Sequence, residues 1–271
     1  MSKFVFIGGG NMASCLIGGM LANGVNKSHI TVAEPNANAR QQLADQHGVS
    51  TTGDNLSAAA SAEVIVLAVK PQVMSAVATH LATALKHNPV VISIAAGIPI
   101  GALENWLGTD VTLIRAMPNT PAMVQAGATG LYANRPLNSE EKKPIETIFD
   151  AVGFTCWVAE EKLIDAVTAV SGSGPAYFFL VYESMQKVGQ ELGLDATVAA
   201  ELTLHTALGA ARLALASDKT ASELRQQVTS PGGTTQAAIE CFQSGGIEDV
   251  FRKAMVSALE RAEQMSAEFS K

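Results

Sequence analysis

Short apolar runs and longer helical stretches alternate through the first 160 residues. Phe4–Ile7, His29–Ala33, Glu63–Val69 and Pro89–Ile94 read as strands, with shorter ones at Leu113–Arg115, Thr129–Tyr132 and Thr155–Val158. Their Val and Ile positions run on without strict alternation, as in strands covered on both faces of a parallel sheet. Met12–Ala22 and Asn38–His47 carry helical patterns between them. Strands and helices alternating at this spacing predict an α/β fold with a doubly wound parallel sheet.

Past residue 160 the strands stop. Lys162–Val170, Ala176–Leu192, Ala196–Ala216, Thr220–Val228, Thr235–Ser244 and Ile247–Ser270 all read as helices, with separators containing Gly, Ser or Asp. Pro175 suits a first helical turn. The pattern predicts two domains, a sheet domain over 1–160 and an all-helical one over 161–271. In Ala196–Ala216, the side chains of Leu202, Leu204, Leu208, Leu213 and Leu215 surround much of the helix. A helix apolar all round is buried, and a helical layer this small is a poor cover for it. Burial against a second subunit is therefore expected, with a self-contained helical domain as the alternative. On this reading a chain ending near residue 160 loses dimerisation and activity together.

Composition raises and then answers a membrane question. The chain is 48% hydrophobic and only 16% charged, with a mean hydropathy of +0.21. Yet the longest nearly apolar run, Val90–Leu103, is interrupted by Ser93, Gly97, Pro99 and Gly101. It falls short of the ~18 residues that span a bilayer. Phe4–Ile7 is too short for a signal sequence, so a cytoplasmic protein outside the membrane is expected. The net charge of −7 and the absence of a basic block argue against a nucleic-acid partner. Cys15, Cys156 and Cys241 lack metal-ligand spacing, so no metal is expected and all three read as small buried apolar residues.

The candidate chemistry begins at Gly8-Gly9-Gly10-Asn11-Met12-Ala13, which follows the first strand directly and opens a helix. Gly8 permits a tight turn, Gly10 lets backbone approach a diphosphate, and Ala13 keeps the helix close to the sheet. The helix N-terminus then offers free N–H groups to the phosphates. A glycine-rich structural turn is the bland alternative. At the end of the second strand stands Glu34. An acid there accepts from a 2′-hydroxyl and repels a 2′-phosphate, which favours NAD over NADP; alternatively Glu34 caps the next helix. Two more strand ends, Ala68-Val69-Lys70-Pro71 and Ser93–Gly97, lie where a dinucleotide would run. Lys70 either faces the diphosphate or exchanges a proton.

Acid–base groups for an alcohol substrate are scarce. The five histidines sit outside any glycine-rich or polar motif. Gly172-Ser173-Gly174 has no lysine after it until Lys187, and Phe178 stands where a hydroxyacid dehydrogenase would place one. A substrate that is already cationic, such as a protonated imine, needs no strong acid. The most polar motif of the second half, Thr229–Thr235, leads into a helix, so its amides form either a second anion site or an N-cap. A carboxylate would fit the first reading, with the Thr234 and Thr235 hydroxyls as extra donors.

Taken together, these segments closely resemble pyrroline-5-carboxylate reductases. The matching pieces are Phe6–Met12, Ala68–Pro71, Ser93–Gly97, Arg115–Pro121, Ser171–Tyr177 and Ser230–Thr235, in the family's order. The resemblance implies a Rossmann-type domain and a helical dimerisation domain. It implies interlocked homodimers, often in decamers built from five dimers, with active sites between subunits. The implied reaction is reduction of L-1-pyrroline-5-carboxylate to L-proline, the last step of proline biosynthesis, by hydride transfer from NADPH or NADH to the cyclic imine. Cofactor contacts then fall on Ile7, Gly8, Gly9, Gly10, Asn11, Met12, Asn55, Ala68, Val69, Lys70, Pro71, Ala95 and Ala96. Substrate contacts fall on Asp218, Thr234 and Thr235. The carboxylate docks on amides at Gly233–Thr235, and the Thr235 hydroxyl orients the ring nitrogen. One departure stands out: members that use NADPH often carry a small polar or basic residue where this chain has Glu34-Pro35. A 3-hydroxyacid dehydrogenase and a non-catalytic nucleotide sensor are the competing readings.

Overall fold

The computed structural model describes residues 2–108 and 110–269. Their contacts fall into two compact units, one of residues 2–173 with 257–269 and one of 174–256.

The first unit is built on an eight-stranded sheet in the order β3-β2-β1-β4-β5-β6-β7-β8. The elements that build it are β1 (Phe4–Ile7), α1 (Asn11–Ala22), β2 (Ile30–Ala33), α2 (Ala37–His47), β3 (Ser50–Thr52) and α3 (Asn55–Ala59). They continue with β4 (Val64–Leu67), α4 (Pro71–Leu81), β5 (Val90–Ser93), α5 (Ile100–Leu107) and β6 (Thr112–Met117). The last are β7 (Gly127–Ala133), α6 (Ser139–Phe149), β8 (Gly153–Trp157) and α7 (Leu163–Val167). Alternate residues of each strand enter opposite cores. Phe4 and Phe6 pack with α1 and α6, whereas Val5 and Ile7 pack with α4 and α5. Burial on both faces explains the unbroken Val/Ile runs.

One strand pair departs from the expected parallel sheet. β7 runs antiparallel to β6. The loop 118–126 is too short for the crossover of a dozen or more residues that a parallel return requires. β8 is parallel to β7 again, because α6 supplies that crossover. β3 was not expected from the pattern; its Ser-Thr-Thr sequence lacks an apolar run and its residues lie partly exposed at the sheet edge.

The second unit holds α8 (Gly174–Glu191), α9 (Ala196–Leu215), α10 (Ala221–Gln227), α11 (Thr234–Ser244) and the first part of α12 (Ile247–Phe269). The expected end of the last helix at Ser270 lies outside the described residues. Within one chain, Leu202, Leu204, Leu208, Leu213 and Leu215 of α9 stand 45–89% exposed. Only Ala199 and Thr203 of that helix are buried. Cys15 and Cys156 are half-buried, but Cys241 is exposed, against expectation, since no residue of α11 is buried in the single chain. Leu163–Glu191 is helical apart from Ser173, and by length and composition alone it could cross a membrane. Ser171, Ser173 and Pro175 interrupt its apolar pattern, so it holds no long unbroken apolar run.

The change from strands to helices falls near residue 160, but packing joins later segments to the sheet. A turn of π-helix, Thr168–Gly172, continues α7, which packs on β6 and β7. Ala262 is buried, Phe269 packs on the α4–α5 core, and Met265 lies against Gly97. At the centre is Arg115 of β6, only 3% exposed. Its Nη2 donates to Asp165 Oδ1 at 2.6 Å and its Nη1 to Glu161 Oε1 at 3.3 Å. The same Glu161 oxygen accepts the Ile100 N–H at 2.7 Å, which ties α5 to the cluster. Cutting the chain near residue 160 therefore strips parts of the first unit as well as the helical one.

Arg115→Met leaves the buried Asp165 carboxylate unpaired. It should cost about 3–5 kcal/mol, read as a lower denaturation midpoint at fixed protein concentration. Glu161→Gln keeps an acceptor for the Ile100 N–H on a partly exposed side chain, and should cost about 1 kcal/mol or less.

Candidate active site

The strand order places β1 and β4 side by side at the centre of the sheet, with their following helices on opposite faces. Ligands of open α/β sheets bind at such a switch point, outside the carboxyl ends of the strands. The segments Ile7–Met12, Glu34, Asn55, Ala68–Pro71 and Ala95–Ala96 follow β1, β2, β3, β4 and β5. Since these strands are parallel neighbours, all of the segments line one edge of the sheet.

Each glycine of the first turn has its own physical reason. Gly8 adopts φ +97°, and a Cβ there would lie 2.8 Å from the Ala68 carbonyl oxygen. A Cβ on Gly9 would collide with Leu43. Gly10 differs, because a Cβ there meets nothing within 4 Å. Gly10 is also the N-cap of α1 and has no side chain to satisfy that helix's first amides. Open space in front of uncapped helix amides is the cradle a diphosphate needs. The residues present fit a dinucleotide.

Glu34 is held at this turn by backbone. Its Oε2 accepts the Gly9 N–H and its Oε1 the Asn36 N–H, each at 3.0 Å. It does not cap α2; Asn36 does, accepting from Asn38 and Ala39. Arg40 is no free cation for a phosphate, since its Nη1 donates to the Glu34 and Pro35 carbonyls at 2.7 and 2.8 Å. Asn55 opens α3 behind Asp54, whose carboxyl is held below its ordinary range first by the Ser57 N–H. Lys70 is exposed, caps the backbone end of α4 ahead of Pro71, and makes no salt bridge among the described residues. Ala95 is 7% exposed, in the turn after β5.

One histidine, His80, acts electrostatically on the Asp54 carboxylate beside Asn55. His47 shares a 2.7 Å hydrogen bond with Ser14, and burial lowers its pKa. His29 and His87 bond to the Ser2 and Ala62 carbonyls. No cluster of metal-ligating side chains occurs among the described residues. A residue the motif reading quoted without a role is Asn119, 8% exposed. Its Oδ1 accepts the Ala128 N–H at 2.9 Å and its Nδ2 donates to the Ser171 carbonyl at 3.0 Å. It thereby pins the π-helical turn to the sheet, and π-turns often mark functional sites.

The candidate for a second anion site, Thr229–Thr235, lies in the other unit. Gly233 caps α11 without a side chain, so the amides of Thr234, Thr235 and Gln236 begin the helix uncapped. The Gly233 N–H is not available for a carboxylate, because it donates to the Ser230 carbonyl at 3.0 Å. Thr229 turns back to the Arg225 carbonyl. Asp218 stands exposed between α9 and α10, and among the described residues no hydrogen bond joins it to Thr234 or Thr235.

Known proteins match both halves. Residues 161–265 match the family model for pyrroline-5-carboxylate reductase dimerisation. Residues 3–97 match that for NADP oxidoreductases, coenzyme F420-dependent. The pyrroline-5-carboxylate reductase of Pseudomonas aeruginosa is 47% identical over 97% of each chain. The reductase of Vibrio alginolyticus is 41% identical over 98% of each. Among solved structures, a pyrroline-5-carboxylate reductase from Coxiella burnetii superposes with a TM-score of 0.94, 44% identity and 98% coverage of both chains. The Plasmodium falciparum pyrroline carboxylate reductase with NADP bound superposes at 0.85, with 30% identity and 98% coverage of both. The stretch Leu163–Glu191, apolar enough for a bilayer, falls wholly within the dimerisation match. From the glycine turn to the last helix, the chain belongs to the pyrroline-5-carboxylate reductase family.

Proposed function

We propose that this chain reduces L-1-pyrroline-5-carboxylate to L-proline with a nicotinamide coenzyme, as the last step of proline biosynthesis. One observation carries the reading. Relatives named for this activity match over nearly the whole chain. The bound coenzyme supplies the hydride. Gly8–Met12 hold its diphosphate at the N-terminus of α1. Glu34 and Asn55 flank the adenosine end, and Ala68–Pro71 with Ala95 and Ala96 line the path toward the nicotinamide.

The substrate side of the work belongs to α11. Its uncapped amides at Thr234 and Thr235 dock the carboxylate, with the helix end contributing partial positive charge. The Thr235 hydroxyl hydrogen-bonds the ring nitrogen and sets the face of the imine. Gly233 shapes the loop and Asp218 borders the substrate. An imine that binds as a cation draws no proton from the protein before reduction. Orientation and proximity then supply most of the acceleration.

Residues 161–271 serve as the dimerisation and substrate domain and 1–160 as the coenzyme domain. The apolar faces of α8 and α9 interlock in a homodimer, and the active site forms between subunits. Five such dimers assemble as a decamer in the cytoplasm. The coenzyme is the point of tension. One matched family model is named for NADP oxidoreductases and one solved relative holds NADP. The Glu34 carboxylate nevertheless stands at the Gly9 amide, where it favours the ribose hydroxyl of NADH and repels the 2′-phosphate of NADPH.

Coenzyme oxidation with pyrroline-5-carboxylate checks these assignments. Turnover of the imine should be faster in kcat/KM with NADH than with NADPH. Glu34→Ser should move the ratio toward NADPH about tenfold, the equivalent of one like-charge contact. Thr235→Ala should lower kcat at least about tenfold while coenzyme KM stays put, and unchanged kinetics would remove Thr235 from its role. Gly10→Val places side-chain atoms in the open cradle. It should abolish coenzyme binding by fluorescence titration, whereas its melting temperature without coenzyme should stay within about 3 °C of the parent.

A further inference from the structure

The loop entering α11 is held by a side chain that the reaction does not use. Gln236 is the third residue of that helix and is half-buried. Its Oε1 accepts the Gly232 N–H at 2.7 Å, and its Nε2 donates to Glu240 Oε1, one turn further on, at 2.7 Å. Chemistry fixes which way the amide faces. A backbone N–H only donates and an ionised carboxylate only accepts, so oxygen points to Gly232 and nitrogen to Glu240.

A glutamine at this helix position ordinarily reaches back to the amide of the cap residue. Here the cap amide is already taken, because Gly233 N–H donates to Ser230. Gln236 reaches one residue farther, to Gly232, whose φ of +68° lies in the left-handed region that favours glycine. Together the two bonds turn the Gly232 and Gly233 amides into the loop. That leaves the amides of Thr234 and Thr235 at the open end of the helix. Gln236 and Glu240 are an i,i+4 pair, and Glu240 is exposed in the single chain. Such pairs add only a few tenths of a kcal/mol to a helix, so their consequence is geometric.

We propose that Gln236, oriented by Glu240, is a positioning residue for the substrate carboxylate. It sets the shape of the Ser230–Gly233 loop and hence the direction of the amides that take the anion. The proposal rests on the reading of this loop as the carboxylate site.

The test is steady-state kinetics on the full-length oligomer with pyrroline-5-carboxylate and coenzyme, alongside thermal melting. Gln236→Leu should raise the KM for the imine about tenfold, the loss of one positioned hydrogen bond. Coenzyme KM should stay within about twofold and the melting temperature within about 2 °C. Glu240→Ala should shift the imine KM in the same direction by a smaller factor. Glu240→Gln should restore it, because the new amide oxygen still accepts from Gln236. An unchanged imine KM in Gln236→Leu overturns the proposal. So do equal effects of Glu240→Ala and Glu240→Gln, or a rise in both KM values together with a large loss of melting temperature. A parent enzyme that does not turn over the imine overturns the functional reading instead.

Discussion

β1 and β4 lie in contact, and the helices that follow them leave on opposite faces of the sheet. The chain must therefore turn at Gly8 directly against the carbonyl of Ala68, in a space that admits no Cβ. This close approach opens the crevice at the sheet edge and aims the first amides of α1 into it. It also brings Gly9 within reach of Glu34, so the glycine turn and the end of β2 are tied together by one hydrogen bond. The segments after β3 and β5 gain a place along the same edge only because this central pair splits there.

The two proposed anion sites use the same device with different supports. Both are helix N-termini capped by glycine, at Gly10 and at Gly233, so that neither helix spends its first amides on its own side chain. At Gly10 the loop is braced by the sheet beneath it. At Gly233 the bracing falls instead to hydrogen bonds that the loop amides donate to Ser230 and Gln236. The unit that carries the second site also leaves its leucines and phenylalanines uncovered within one chain. A surface that needs a partner and a loop that needs a rigid base are thereby placed in the same set of helices.

Much of this was legible in the residues themselves. The apolar strands declare themselves because burial on both faces leaves no polar positions, and the glycine turn follows from its place between a strand and a helix. β3 escaped notice because three small polar residues at a sheet edge carry no apolar signal. The antiparallel β7 depends on a loop length whose meaning emerges only once both flanking strands are assigned. The role of Gly233 was read as an anion donor, whereas its amide closes the loop; local composition does not tell which amide of a turn is spent internally. Glu34 was legible as an acid at the right place, but its contact with Gly9 spans 25 residues of sequence. The seam between the units was least visible, since residues 257–269 continue a helix without any break in pattern.

That last segment has a consequence for synthesis. Arg115 is buried against Asp165 and Glu161 and lies beside Ser266, and Gly97 is covered by Met265. During translation the guanidinium and the Gly97 turn are made long before the residues that enclose them. Until residues 257–269 emerge, the sheet domain has its strands but lacks part of its cover. The first unit, although its strands are made first, has its full cover only once residues 257–269 have followed the whole of the second unit.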